Sequence, residues 1–234
     1  MDIGTLPEMT MDVLKAFNNG FGELVCVTPP GCELSPLSSI RPEDCGKAPG
    51  LRKANGQWTG YQWRSGKPLR SQMEFWVSWN SNIGLRSSRF PGIDIDVLDE
   101  VLAGEIEKLA LRILGDAPRR VGLPPKRLLI YTTESPFPKR TLKFENDAKQ
   151  EFLVEVLAEG QQYVVSGIHP TTGKPYTCEP GLDTFISDEL SLIDEKQLEG
   201  FLDELRAFLS KKNYRSRISI SSGRERDLID QESL

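Results

Sequence analysis

Apolar residues recur along this chain at two different periods. Val101, Leu102, Ile106, Leu109, Ile113 and Leu114 are spaced for one face of a helix, and Gly115 supplies a natural stop. Leu198, Phe201, Leu202, Leu205, Phe208 and Leu209 form a second stripe. They predict a helix from 195 to about 212, with Asp194 as its cap and Gln197 placed for a capping box. Two shorter helices are expected, one over residues 9–19 capped by Thr10 and one opened by Pro68 and running through Phe75 and Trp76. Elsewhere the period shortens to two. Ile93, Ile95 and Val97 alternate with Asp94 and Asp96, so a strand here puts both aspartates on one face. Residues 25–28, 127–133, 141–144, 151–157 and 161–167 also read as strands, which makes the second half mainly antiparallel sheet. Residues 32–66 show little periodicity but hold Trp58, Tyr61 and Trp63 beside Lys47 and Lys53, the pattern of an ordered functional loop. From Arg215 onward mixed charge and few large apolar groups predict a flexible tail over 215–234.

With 234 residues and 38% hydrophobic content the chain can build one large domain or two small ones. No window approaches eighteen uninterrupted apolar residues, and no basic region precedes an apolar run at the start. The expectation is therefore no membrane partner and a cytoplasmic location. The net charge of −5 excludes indiscriminate attraction to nucleic acid, so any phosphate site must be a local basic patch. Cys26, Cys32, Cys45 and Cys178 contain no C-x-x-C pair and have one histidine to join them, which argues for reduced thiols over structural zinc.

Two carboxylates at i and i+2 on a strand resist burial through desolvation and mutual repulsion, and a divalent cation relieves both. Hard oxygen ligands suit Mg²⁺ or Mn²⁺, with positions left for nucleotide phosphates. The competing reading is an exposed sheet face, or an Asp96 that only caps the next helix. His169 follows a predicted strand and opens a loop holding Thr171, Thr172, Gly173 and Lys174, groups that suit a phosphate cradle. Three basic pairs, Arg119 and Arg120, Lys126 and Arg127, Lys139 and Arg140, would give a net-acidic protein a positive track. Trp58, Tyr61 and Trp63 either stack on a base or pack as core.

Several ordered strings carry a resemblance: Pro91-Gly-Ile-Asp-Ile-Asp, Ala117-Pro-Arg-Arg-Val-Gly, Pro125-Lys-Arg-Leu-Leu-Ile-Tyr, the run from Glu155 to Pro170, and Thr172-Gly-Lys-Pro-Tyr. Upstream, Gly46-Lys-Ala-Pro-Gly, Gln57-Trp-Thr-Gly and Asn82-Ile-Gly-Leu-Arg extend it. From about residue 20 to about 210 the chain resembles the primase-polymerase domains of phages and mobile elements, in the archaeo-eukaryotic primase superfamily.

The resemblance implies an α+β fold. An N-terminal α/β unit over about residues 1–90 would pack on an RNA-recognition-motif-like antiparallel sheet over about 91–214, with the active site in the cleft between them. It implies that Asp94 and Asp96 are the metal-binding pair. Ser166-Gly167-Ile168-His169 resembles the family's Ser-x-His motif with one extra residue, and the family's histidine contacts the phosphates of the incoming nucleotide. For the third carboxylate Glu155 ranks first, while Asp183 and Asp194 better follow the usual motif order. Ser166, His169, Thr172, Lys174, Lys139 and Arg140 would bind the nucleotide, and Arg119, Arg120, Lys126 and Arg127 the nucleic acid. The activity implied is template-directed nucleotidyl transfer with Mg²⁺ or Mn²⁺. Its partners are a single-stranded DNA template and primer, nucleoside triphosphates and, as a candidate, a replicative helicase. Two rivals stand beside it. A metal-dependent glycosyltransferase explains Asp-x-Asp but not the histidine loop, and a non-catalytic replication accessory module explains the fold but not intact Asp94, Asp96 and His169.

Overall fold

The computed structural model describes residues 11–221. In chain order the elements are α1 (Val13–Asn18), β1 (Leu24–Val27), β2 (Leu51–Arg52), β3 (Trp58–Thr59), α2 (Arg70–Ser78), β4 (Asn82–Arg86) and β5 (Gly92–Asp96). Then come α3 (Glu100–Leu114), β6 (Arg119–Val121), β7 (Arg127–Ile130), β8 (Lys139–Glu145), β9 (Glu151–Leu157), β10 (Gln162–Ser166), β11 (Thr177–Glu179), α4 (Glu195–Lys211) and β12 (Arg215–Ser221). The chain is mixed helix and sheet, and its registered strand pairs are antiparallel. No helix among the described residues is long and apolar enough to cross a membrane.

The described residues form two compact units, one of residues 11–85 with 164–187 and the other of 86–163 with 188–221. This corrects the expectation of a single break near residue 90. β10 joins β1 and β4 in a separate three-stranded sheet of order β1-β4-β10, which returns the histidine loop to the first unit. In that unit every residue of β1 and β4 is buried; β1 is apolar on both sides, whereas β4 alternates Asn82, Gly84 and Arg86 with Ile83 and Leu85. The first helix is capped by Asp12, whose carboxylate accepts from the Lys15 amide at 3.0 Å. Thr10, the expected cap, lies outside the described residues. Trp58 is buried edge-on against Trp79, the Tyr61 hydroxyl accepts from the Cys26 amide at 3.0 Å, and Trp63 packs beside Val25, Val27, Val164 and Tyr176. Of the two readings of these aromatics, packing is the one the structure takes.

In the second unit six strands run in the order β6-β7-β5-β9-β8-β12. α3 and α4 pack with one face, where Ile93, Ile95, Leu129, Leu142, Val154 and Val156 meet Ile106, Leu109, Phe201 and Leu205. Asp99 caps α3 by accepting from the Leu102 amide at 2.8 Å. Gly115 ends α3 at φ +91°, where a side chain would meet Ser191 Oγ at 2.7 Å. Asp194 and Gln197 form the expected capping box on α4. Residues 215–221, expected to be flexible, form an edge strand paired along its whole length with β8, from Arg215 opposite Glu145 to Ser221 opposite Lys139. Only one side of this strand is covered, so Tyr214 and Ile218 supply enough apolar contact to hold it. Residues 222–234, the rest of that expected tail, lie outside the described residues.

Candidate functional site

Strand alternation sorts the second unit's charged residues between two faces. Since Ile93 and Ile95 point into the helix-covered core, Asp94 and Asp96 point the other way. β9 sets Glu155 directly opposite Asp94, and β7 sets Leu128 opposite it on the other flank, with Arg120 of β6 opposite Leu128. Arg120, Leu128, Asp94, Glu155 and Thr141 thus form one cross-strand row on the face away from the helices. Lys126, just before β7, forms an ion pair with Asp96. Lys139 Nζ lies 2.5 Å from Glu155 Oε1, which also accepts from the Thr141 hydroxyl at 3.3 Å.

Desolvation is the largest influence on Asp94 and pushes its carboxyl above the ordinary carboxylate value. Arg120 opposes the shift, the charges of Asp96 and Glu155 reinforce it, and Lys126 opposes it. Protonation is therefore easier here than at an isolated aspartate, and a bound cation would reverse that preference. Among the described residues no three His, Cys, Asp or Glu side chains form a ready metal cage.

The other expected cations point toward the helices. Arg127 is buried, donates to Glu107 Oε2 at 2.5 Å and Glu100 Oε1 at 3.0 Å, and also donates to the Pro125 carbonyl at 2.9 Å. Arg140, buried opposite core residue Val156, pairs with Glu195 in the first turn of α4 and donates to the Pro138 carbonyl at 2.9 Å. Arg119 lies opposite core residue Leu129 and pairs with Glu107 at 3.7 Å. These placements correct the expectation that Arg119 and Arg127 hold nucleic acid and that Arg140 clamps a triphosphate. All three fasten helices to the sheet. Asp194, as the cap of α4, and Asp183, which accepts from the Asp12 amide at 3.1 Å in the first unit, both have structural work, leaving Glu155 as the carboxylate beside Asp94.

In the first unit His169 heads a tight turn. Its amide donates to the Lys174 carbonyl and its carbonyl accepts from the Gly173 amide, both at 2.9 Å, while Ile168 bridges Pro175. The imidazole is buried against Tyr176, with ring centroids 5.2 Å apart. The amides of Thr171 and Thr172 donate to Nδ1 at 3.2 and 3.3 Å, so the neutral ring carries its proton on Nε2. The threonine amides thus orient the imidazole, while the Thr172 hydroxyl accepts from the Lys174 amide at 3.3 Å. Lys174 itself is exposed. Ser166, expected to bind the nucleotide, is fully buried, and its hydroxyl has no hydrogen-bond partner among the described residues.

Sequence reasoning missed Asn82 as a positioning residue: its buried carboxamide, at the first position of β4, bonds to the residue preceding His169. The available signal was an asparagine inside an otherwise apolar string, Asn82-Ile-Gly-Leu. No protein-family model matches this chain, and a search of the curated proteins also finds no match.

Proposed function

We propose that this chain is a template-directed nucleotidyltransferase that joins nucleoside triphosphates on single-stranded DNA, in the manner of the primase-polymerases its motifs resemble. One observation carries the reading: a desolvated Asp94 with Asp96 and Glu155 on the same helix-free sheet face, and basic groups balancing them. The donor set fits Mg²⁺ or Mn²⁺, because such ions are commonly held by one or two carboxylates while substrate phosphates complete the coordination. Asp94 and Asp96 would hold the ion, with Glu155 as neighbouring carboxylate. When bound, it stabilises charge on the reacting phosphoryl group and makes a 3′-hydroxyl more acidic.

The chain's own groups do the rest. Lys126 and Lys139 are ammonium groups paired with carboxylates of the site, free in geometry to exchange them for phosphate oxygens. Arg120 keeps Asp94 closer to its ionised form. The His169 ring, proton on Nε2, donates to a phosphate oxygen, and Thr172 and Lys174 add a hydroxyl and a charge. Positioning and electrostatic stabilisation supply most of the acceleration.

The test is primed and unprimed synthesis on a single-stranded template, with each nucleotide type and either metal. Metal-dependent polymer products that disappear in a folded Asp94→Ala variant are expected. Near-normal extension by that variant would contradict the reading, and transfer from a nucleotide sugar without polymer would favour the glycosyltransferase.

A further inference from the structure

We propose that Asn82 is the positioning residue of the histidine loop, its carboxamide holding His169 so that the imidazole presents its Nε2 proton to a phosphate oxygen. The role toward phosphate rests on the function proposed above, whereas the clamp itself stands on hydrogen bonds within one unit.

Asn82 is almost fully buried, opposite Val27 at the start of β4. Its Oδ1 accepts from the Ile168 amide at 2.8 Å, and its Nδ2 donates to the Ile168 carbonyl at 2.8 Å and to the Gly46 carbonyl at 2.9 Å. Both amide protons are engaged, and both backbone groups of Ile168 are captured by a single side chain, as a neighbouring strand would capture them. No other side chain of this size offers an acceptor and two donors in one plane. Aspartate would set a carboxylate against two carbonyl oxygens, and alanine would leave three buried polar groups unpaired.

Two glycines make room for this arrangement. Gly167 adopts φ +110°, and a Cβ there would lie 2.0 Å from Asn82 Oδ1 and 2.8 Å from Asn82 Cα. Gly46 adopts φ +90°, and its Cβ would lie 3.1 Å from Pro170 Cβ and 3.2 Å from Pro30 Cγ. The Gly46 amide is in turn held by the Thr28 hydroxyl at 3.1 Å. The carboxamide therefore ties the Gly46 loop to the residue immediately before His169, and Pro170, immediately after it, rests on Gly46. With the backbone fixed on both sides, the Thr171 and Thr172 amides fall onto Nδ1 and set the tautomer.

The chain has one histidine, so its imidazole gives a single set of nitrogen-15 resonances. In the full-length wild type these should report one neutral tautomer with the proton on Nε2, and the Ile168 amide should exchange slowly. In Asn82→Ala the ring should become a tautomer mixture and the Ile168 amide should exchange quickly. KM for the nucleoside triphosphate should rise about tenfold while kcat stays within a factor of about three, the scale usual for loss of a group that orients a ligand-binding histidine. Should Asn82→Ala not fold, Asn82→Asp keeps the shape and one acceptor and is read the same way. An unchanged imidazole spectrum and unchanged KM in a folded variant would overturn the proposal. The spectrum is recorded without substrate, so it tests the clamp separately from the reaction; a wild type that neither binds nor polymerises triphosphates would instead overturn the reaction and Asn82's role toward phosphate with it.

Discussion

The two faces of the second unit's sheet differ in how their charged side chains are paired. On the helix side, guanidinium groups do the pairing: Arg127 with Glu107 and Glu100, Arg140 with Glu195, Arg119 with Glu107. A planar fork with several donors suits a permanent, partly buried pair, because it bonds to two carboxylates and a carbonyl at once. On the other side Lys126 pairs with Asp96 and Lys139 with Glu155, each through a single ammonium group on a flexible stem. Arg120, also on that side, acts on Asp94 through charge, and Arg215 and Arg217 of β12 stand opposite Glu145 and Lys143 of β8. One face is held by multidentate guanidinium pairs and the other by single ammonium contacts.

Substitutions can break this contrast. Asp94→Ala should have the largest effect, lowering primer extension about 10³-fold while the thermal midpoint holds or rises. Next, Arg127→Ala should destabilise the chain by about 3 kcal/mol in denaturant unfolding, since it leaves the largely buried Glu107 with only its longer contact to Arg119, while activity per folded molecule is retained. Asp94→Asn should stabilise by roughly 1 kcal/mol, the scale common when a desolvated functional charge is removed. The sign follows from linkage. The folded carboxyl titrates above its ordinary 3.8, so wild type loses stability relative to the variant as pH rises from that value through the folded one, and the deficit persists at neutral pH. Unfolding curves for both proteins between pH 3 and pH 8 check this, and a gap that closes with rising pH would contradict it. By the same proton competition, Mn²⁺ affinity should rise as pH increases through Asp94's titration. Smallest of all, Lys126→Ala should shift unfolding by no more than about 1 kcal/mol, since its pair with Asp96 keeps contact with solvent.

Local pattern carried much of this fold. The helices under Leu102 to Leu114 and Leu198 to Leu209, the Asp194 capping box and the strand bearing Asp94 and Asp96 follow from spacing and cap chemistry that act within a few residues. What failed was pairing over long distances. Nothing near Gln162–Ser166 says that it joins β4 instead of the larger sheet, and nothing near Glu155 says that it stands opposite Asp94. The positive track failed for a different reason. A run of charge along the chain carries no information about side, and alternation sends the two members of each basic pair to opposite faces. At β12, Tyr214 and Ile218 are too few to signal a strand by themselves and suffice only because β8 is already in place.

The basic dipeptides Arg119-Arg120, Lys126-Arg127 and Lys139-Arg140 each divide their labour by a single step of the backbone. Inserting or deleting one residue within these strands would send each basic side chain to the other face, unseating a helix and breaking the lysine–carboxylate pairs together. Length variation in β6, β7 and β8 is therefore tolerable only in even numbers, a parity constraint that a deep insertion-and-deletion scan of this segment would reveal.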